Sequence, residues 1–143
     1  MARNILTLAL LLVAGTVNPA EQHIVCPTEI PESSIRLTNL SKQWQSYVAS
    51  PLYLSSAGAA AGPPEQLATL KGDSTWRSGS TKWSTTYDLS DESFAAGKWM
   101  ECRYGESGEV MLSTRLNDKI TTCTVRFSKG EKVGQRSIKI DCH

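Results

Sequence analysis

Residues 97–127 read GKWMECRYGESGEVMLSTRLNDKITTCTVRF, and this stretch decides the fold. Apolar and polar residues alternate along it, so that Met100, Cys102 and Tyr104 share one side of an extended segment. The same alternation recurs over residues 110–116 and 122–127, and a last time over residues 136–142. Because successive side chains of a strand point to opposite faces, the pattern predicts four strands, each with one buried face.

Short polar connections separate these four segments. GESG at residues 105–108 and NDK at 117–119 are typical of turns, and SKGEKVG at 128–134 of a surface loop. Four strands joined in this way predict a C-terminal antiparallel meander with one wet face. All the cysteines of the region fall on the apolar side, and a one-residue slip would turn each of them to solvent.

The preceding part of the chain extends the β prediction. Residues 73–77 and 82–89 flank Ser78-Gly79-Ser80 and predict a hairpin. Residues 51–64 are small and almost uncharged, which indicates a loop or a close-packed strand, with a functional loop as the alternative. Residues 40–48 have helical apolar spacing, although a strand would also suit them. We therefore expect a mainly β domain, a single antiparallel sheet or sandwich-like, with two disulfides and at most one short helix.

The N-terminus, MARNILTLALLLVAGTVNPA, has the features of a secretory signal peptide: a basic residue, an apolar run and small residues. Its apolar run is roughly half of the ~20 residues that a bilayer span needs, which argues against stable membrane insertion. Thr16 stands where a lipoprotein would carry its lipidated cysteine. We predict a cleaved signal peptide at residues 1–20, a single domain at 21–143, and a periplasmic or secreted protein.

The four cysteines are Cys26, Cys102, Cys123 and Cys142. An even count in an exported chain indicates two disulfides. In a meander, Cys102 and Cys123 would lie two strands apart, roughly 9–10 Å, beyond the ~7 Å limit between bridged Cα atoms. This favours Cys26–Cys102 with Cys123–Cys142, and a connectivity that includes Cys26–Cys142 stays open. The spacings lack any C-x-x-C pair, so we expect no metal site.

Composition and motifs favour binding over catalysis. The chain has 15 basic and 14 acidic residues and no basic stripe, so no nucleic-acid partner is expected. It contains no nucleophile elbow, H-E-x-x-H or phosphate-binding loop, and we expect no cofactor. A serine triad would need His23 or His143, both close to the ends of the mature chain.

Trp99, Glu101, Arg103 and Met111 fall on the side of the predicted sheet opposite the cysteines. Core packing is the default for a tryptophan, and a surface ion pair is the plain interpretation of Glu101 and Arg103. If that side is uncovered, however, it is an aromatic and arginine patch of the kind enriched at interface hot spots. These four residues are the candidate protein-binding site.

Cys26-Pro27, Trp99-Met100-Glu101-Cys102-Arg103-Tyr104 and Cys123-Thr124-Val125 form a recognisable pattern. With it the chain resembles a family of small, uncharacterised exported proteins of Gram-negative bacteria. The resemblance implies no activity, although some members look like periplasmic immunity or inhibitor proteins.

The function that we predict is that of a non-enzymatic exported protein that binds another protein. The partner would be a cell-wall-active toxin or a lysozyme-type enzyme, and the chain its immunity or inhibitor protein. A structural or accessory cell-envelope protein is the alternative, and a small hydrolase is the least favoured.

Overall fold

The computed structural model describes residues 20–91 and 94–143, so the predicted signal peptide lies outside it except for Ala20. The described residues form nine strands and two short 3₁₀ turns, Glu32–Ser34 and Pro64–Gln66. The strands are β1 (Gln22–Ile24), β2 (Glu29–Ile30), β3 (Leu52–Ala60), β4 (Asp73–Trp76), β5 (Trp83–Asp88), β6 (Trp99–Tyr104), β7 (Val110–Arg115), β8 (Thr122–Lys129) and β9 (Arg136–Cys142). The prediction of a mainly β domain is confirmed.

The strands form two antiparallel sheets. One has the order β1-β9-β8-β5-β4 and the other the order β2-β3-β6-β7. The four predicted C-terminal strands exist, and β6 pairs with β7 as β8 pairs with β9. The predicted four-stranded meander is wrong, however, because these two pairs belong to different sheets. The sandwich-like alternative is the correct one.

The connection between β7 and β8 carries the chain from one sheet to the other. Its apolar ends, Leu116 and Ile120, are both buried. The ammonium group of Lys98, itself buried, donates hydrogen bonds to the carbonyl oxygens of Asp118 at 3.1 Å and Ile120 at 2.7 Å. The polar NDK sequence suggested a hairpin, but burial of its two flanking residues and the Lys98 anchor make it a crossing between layers.

The small, almost uncharged segment at residues 51–64 contains β3, one of the two inner strands of the four-stranded sheet. Ala57, Gly58 and Ala59 are buried, which explains why the segment shows no alternation of polar and apolar residues. A Cβ atom at position 58 would lie 2.8 Å from the hydroxyl oxygen of Tyr87. Glycine is therefore required for the close approach of β3 to β5.

The short helix predicted over residues 40–48 is absent. The segment is irregular, and the residues that gave the helical spacing are exposed: Leu40 by 46%, Trp44 by 66% and Tyr47 by 88%. An amphipathic helix is stabilised mainly by burying its apolar face. This face has no layer to pack against, so the spacing alone does not produce a helix.

Both predicted disulfides are confirmed. Cys26–Cys102 joins the segment after β1 to β6, and Cys123–Cys142 joins opposing residues of β8 and β9 with 4.1 Å between Cα atoms. The pairing is as expected although the meander from which it was argued is wrong. Cys102 and Cys123 lie in different sheets, and each is bonded to another cysteine.

Tyr104 lies in the core with its hydroxyl unpaired. Its side chain is fully buried, and the hydroxyl has no hydrogen-bond partner among the described residues. Burial raises the pKa of Tyr104 to about 12 from the ordinary value of 10.0. Since the unfolded chain ionises first, the stability that this neutral phenol contributes is complete below pH 10 and is lost as the pH rises towards 12.

Tyr104→Phe is accordingly expected to stabilise the protein by about 1 kcal/mol at pH 7, because it removes a buried unpaired hydroxyl. It should also weaken the loss of stability between pH 10 and 12. Urea unfolding at pH 7 and pH 10.5 measures both effects, with Tyr47→Phe, at an 88% exposed position, as the control. Destabilisation at pH 7 would show that the hydroxyl is hydrogen-bonded in solution.

Candidate functional site

The candidate site lies on one face of the four-stranded sheet. Arg103 is directly opposite Met111 in the register of β6 and β7. Trp99, Glu101 and Arg103 alternate along β6, so their side chains share the face of Met111. We call these four residues the Trp99 face. The four residues predicted for the site therefore share one face of the sheet, with Trp99 four residues along β6 from Arg103.

An ion pair forms the floor of the Trp99 face. Arg103 Nη2 donates to Glu101 Oε2 at 2.6 Å and to the Thr69 hydroxyl oxygen at 2.8 Å. The side chain of Glu101 is 1% exposed and that of Arg103 is 25% exposed. The expectation of a surface ion pair is wrong. Glu101 does not reach solvent, and its role within the face is to hold Arg103.

The carboxylate of Glu101 depends on Arg103 to an unusual degree. Among the described residues its second oxygen, Oε1, has no hydrogen-bond partner, and neither has the hydroxyl of Ser113, the residue opposite Glu101 in the register. A buried charge is stabilised only through its partners. Among the described residues, Arg103 supplies the side-chain hydrogen bond of this carboxylate, and Thr69 in turn holds Arg103.

Tyr87 of β5 lies beside this floor. Its ring reaches Gly58 of β3, which neighbours Glu101 in the sheet. Burial raises the pKa of Tyr87; the positive charge of Arg103 opposes this shift and the negative charge of Glu101 adds to it. Tyr87, Glu101 and Arg103 therefore lie close together, and this cluster can hold the Trp99 face in a fixed shape.

Trp99 and Met111 form the accessible part of the face. Both are partly buried, and the indole nitrogen of Trp99 donates to the carbonyl oxygen of Ala96 at 3.1 Å. This bond fixes the orientation of the indole ring at the end of β6. A fixed aromatic side chain loses little conformational entropy when a partner covers it.

Sequence reasoning missed a second surface, an open groove of about 670 Å³ at one end of the five-stranded sheet. The available signal was the parity of the basic residues: Arg126 and Lys139 are opposite each other in the register, on the face of the sheet turned away from Phe127. We call it the basic groove; it is lined by Thr75, Trp76, Arg77, Ser80, Lys82, Trp83, Ser84, Arg126, Phe127, Ser128, Ser137 and Lys139.

Residues 49–143 match the model of the Type VI secretion system Tli immunity protein family. The chain belongs to this family. The matched region is well over half of the 143 residues and contains β3 to β9, hence both the Trp99 face and the basic groove. No curated protein and no solved structure matches the chain. In residues 20–91 and 94–143 no helix is long and apolar enough to cross a membrane.

Membership of the Tli immunity family confirms the predicted class of function. An immunity protein acts by recognising a toxin, here an effector of a type VI secretion system, and is a binding protein. The family resemblance inferred from the sequence is confirmed to the extent that the family is one of immunity proteins. Residues 20–48, with Cys26 and the exposed irregular segment, lie outside the matched region.

Proposed function

We propose that this Tli immunity protein works in the periplasm, after removal of residues 1–20, as a single domain of residues 21–143. It holds its effector inactive and catalyses no reaction of its own. Two closed disulfides, with no free cysteine among the described residues, support an oxidising compartment. The effector is a cell-wall-active or lysozyme-type enzyme, because the cell wall lies in the same compartment.

The Trp99 face supports this proposal, because it lies within the family-matched region and groups Trp99, Arg103 and Met111 on one side of the sheet. Interface hot spots are enriched in tryptophan and arginine that are held in place before the partner arrives. Trp99 and Met111 provide the contact area, and the side chain of Arg103, which is 25% exposed, lies opposite Met111. Glu101 acts through Arg103 and does not contact the effector.

The double substitution Trp99→Ala and Met111→Ala is expected to weaken effector binding by about tenfold to several hundredfold, the usual effect of removing hot-spot side chains. The measurement is the dissociation constant for each purified, catalytically inactivated type VI effector of the same organism. Enzyme assays of the active effectors, on cell wall and on the other envelope polymers, then identify the reaction that the complex blocks.

Leu112→Ala is the matched control, because Leu112 lies on the same strand, is 43% exposed, and points to the other side of the sheet. Arg103→Ala is not used here, since it leaves Glu101 buried without its partner. If the double variant bound the effector with wild-type affinity, the interface would not include the Trp99 face. Inhibition of an enzyme that does not act on the cell wall would keep the immunity function and replace the effector class.

A further inference from the structure

β4 is an open edge of the five-stranded sheet. It pairs with β5 on one side and, among the described residues, with no strand on the other, and all four of its residues are exposed. The hydroxyl oxygens of Ser74 and Thr85 are 2.9 Å apart. On the opposite face those of Thr75 and Ser84 are 2.7 Å apart. β4 is therefore held firmly to β5, while its outer N–H and C=O groups are free to pair with another chain.

The other sheet edges are less open than β4. Gln22 of β1 bridges to the end of β7: its side-chain nitrogen donates to the carbonyl oxygen of Arg115 at 3.4 Å, and its side-chain oxygen accepts from the Asn117 N–H at 3.0 Å. The charged side chain of β7, Arg115, already pairs with Asp118. β2 consists of two residues. β4 is therefore the edge best suited to an added strand.

The charges along β4 complement a second copy of the same strand. Asp73 and Thr75 point away from the core, and Arg77, one residue past the strand, continues this alternation. Asp73 and Arg77 are both exposed, and neither forms an ion pair in the described part of the chain. Opposing residues of an antiparallel pair turn their backbone polar groups either towards each other or both away. Two copies related by a two-fold axis can therefore oppose only residues that are an even number of positions apart.

A two-fold axis at Thr75 satisfies this condition and matches the charges. It places Asp73 of each copy opposite Arg77 of the other, which gives two ion pairs on the outer side of the joined sheet. On the other side Trp76 lies opposite Ser74 of the second copy, and the two indoles are diagonal neighbours, close enough to contact each other. Since Trp76 is 64% exposed in the single chain, the contact buries apolar surface.

The neighbouring registers are less favourable. An axis at Ser74 would bring Arg77 opposite Lys71 of the second copy, and like charges directly opposite each other are destabilising. An axis at Trp76 would extend the pairing into Ser78 and Gly79, which form the turn of the hairpin. The charges and the turn therefore select the axis at Thr75.

We propose that two copies of this protein associate through β4, paired antiparallel about Thr75, so that their five-stranded sheets join into one. A second copy fits this edge because β4 and Arg77 supply both halves of the ion pair. About five residues of each strand take part, fewer than the usual 20–30, so the expected dissociation constant is about 1–100 µM. The Trp99 face lies on the other sheet, so this inference does not depend on effector binding.

Charge reversal at the two paired positions tests the register. Asp73→Arg and Arg77→Asp each bring like charges together in a dimer of identical chains, and each should weaken self-association at least tenfold. When the two variants are mixed, they should form a heterodimer with about wild-type affinity, because one chain then presents arginine at both positions and the other aspartate. Sedimentation velocity of the mature protein at about 1–300 µM, a range that brackets the expected constant, measures all three.

Glu106→Arg and Lys119→Asp are the matched controls, because they reverse exposed charges in turns away from β4. Both should associate as wild type, and circular dichroism shows whether each variant is folded. A wild-type protein that stays monomeric, equal association of all variants, or no heterodimer in the mixture would overturn the proposal. A monomer whose effector affinity falls in Asp73→Arg but not in Glu106→Arg would also overturn it and assign the edge to the effector.

Discussion

Replacing Arg103 with alanine is expected to lower the free energy of unfolding by about 3–5 kcal/mol, the usual cost of removing one partner from a buried ion pair. The remaining carboxylate of Glu101 is 1% exposed and loses its hydrogen bond from Arg103 Nη2, while its Oε1 already has no partner among the described residues. Urea unfolding at pH 7 measures the change.

Two variants show that the loss comes from an isolated charge. Glu101→Gln with Arg103→Gln removes both charges together and should recover most of the stability, because a neutral amide pair carries no large desolvation penalty. Arg115→Ala removes an exposed ion pair with Asp118, whose side chains are 59% and 73% exposed, and should cost less than about 1 kcal/mol. If Arg103→Ala were no costlier than Arg115→Ala, the floor of the Trp99 face would be solvated.

The second large effect is expected from the disulfide between Cys26 and Cys102. Its cysteines are 76 residues apart, whereas Cys123 and Cys142 are 19 apart. The chain-entropy model then gives a loss of about 4 kcal/mol for the longer loop and about 3 kcal/mol for the shorter one. Paired alanine substitutions of each disulfide, compared by urea unfolding, measure the two losses.

The order of these losses is the informative result. Cys26–Cys102 cross-links residues 20–48 to β6 of the family-matched region, and its removal should release that segment as well as lower the stability. Hydrogen exchange of residues 22–30 is expected to increase in the Cys26→Ala and Cys102→Ala variant and to change less when Cys123 and Cys142 are replaced. A larger stability loss for the shorter loop would contradict the entropic explanation.

The strands were predictable from the sequence because their signal is local. Alternation places Met100, Cys102 and Tyr104 on one side of β6 whatever the rest of the chain does. The assignment of strands to sheets is not local. It depends on burial of Leu116 and Ile120 and on hydrogen bonds from Lys98 to a distant carbonyl, and nothing in the NDK turn sequence distinguishes a crossing from a hairpin.

The candidate site shows the same division between local and distant information. Parity along β6 placed Trp99, Glu101 and Arg103 on one face, and the register with β7 confirms that they share it with Met111. The burial of Glu101 was not predictable, because its surroundings come from distant parts of the chain: Gly58 of β3 lies beside it, and its partner Arg103 is bound by Thr69, 34 residues away in sequence. That the face binds an effector stays a prediction.

Protection of living cells is the measurement that decides whether this protein neutralises a toxin. Sensitive cells export a type VI effector of the same organism to their periplasm, with or without the full-length protein or a version lacking residues 1–20. We expect survival with the full-length protein and death with the shortened one, together with a complex of effector and immunity protein in periplasmic extracts. Death in both cases for every effector, or protection without any complex, would contradict the conclusion that this Tli family member neutralises a toxin by binding it.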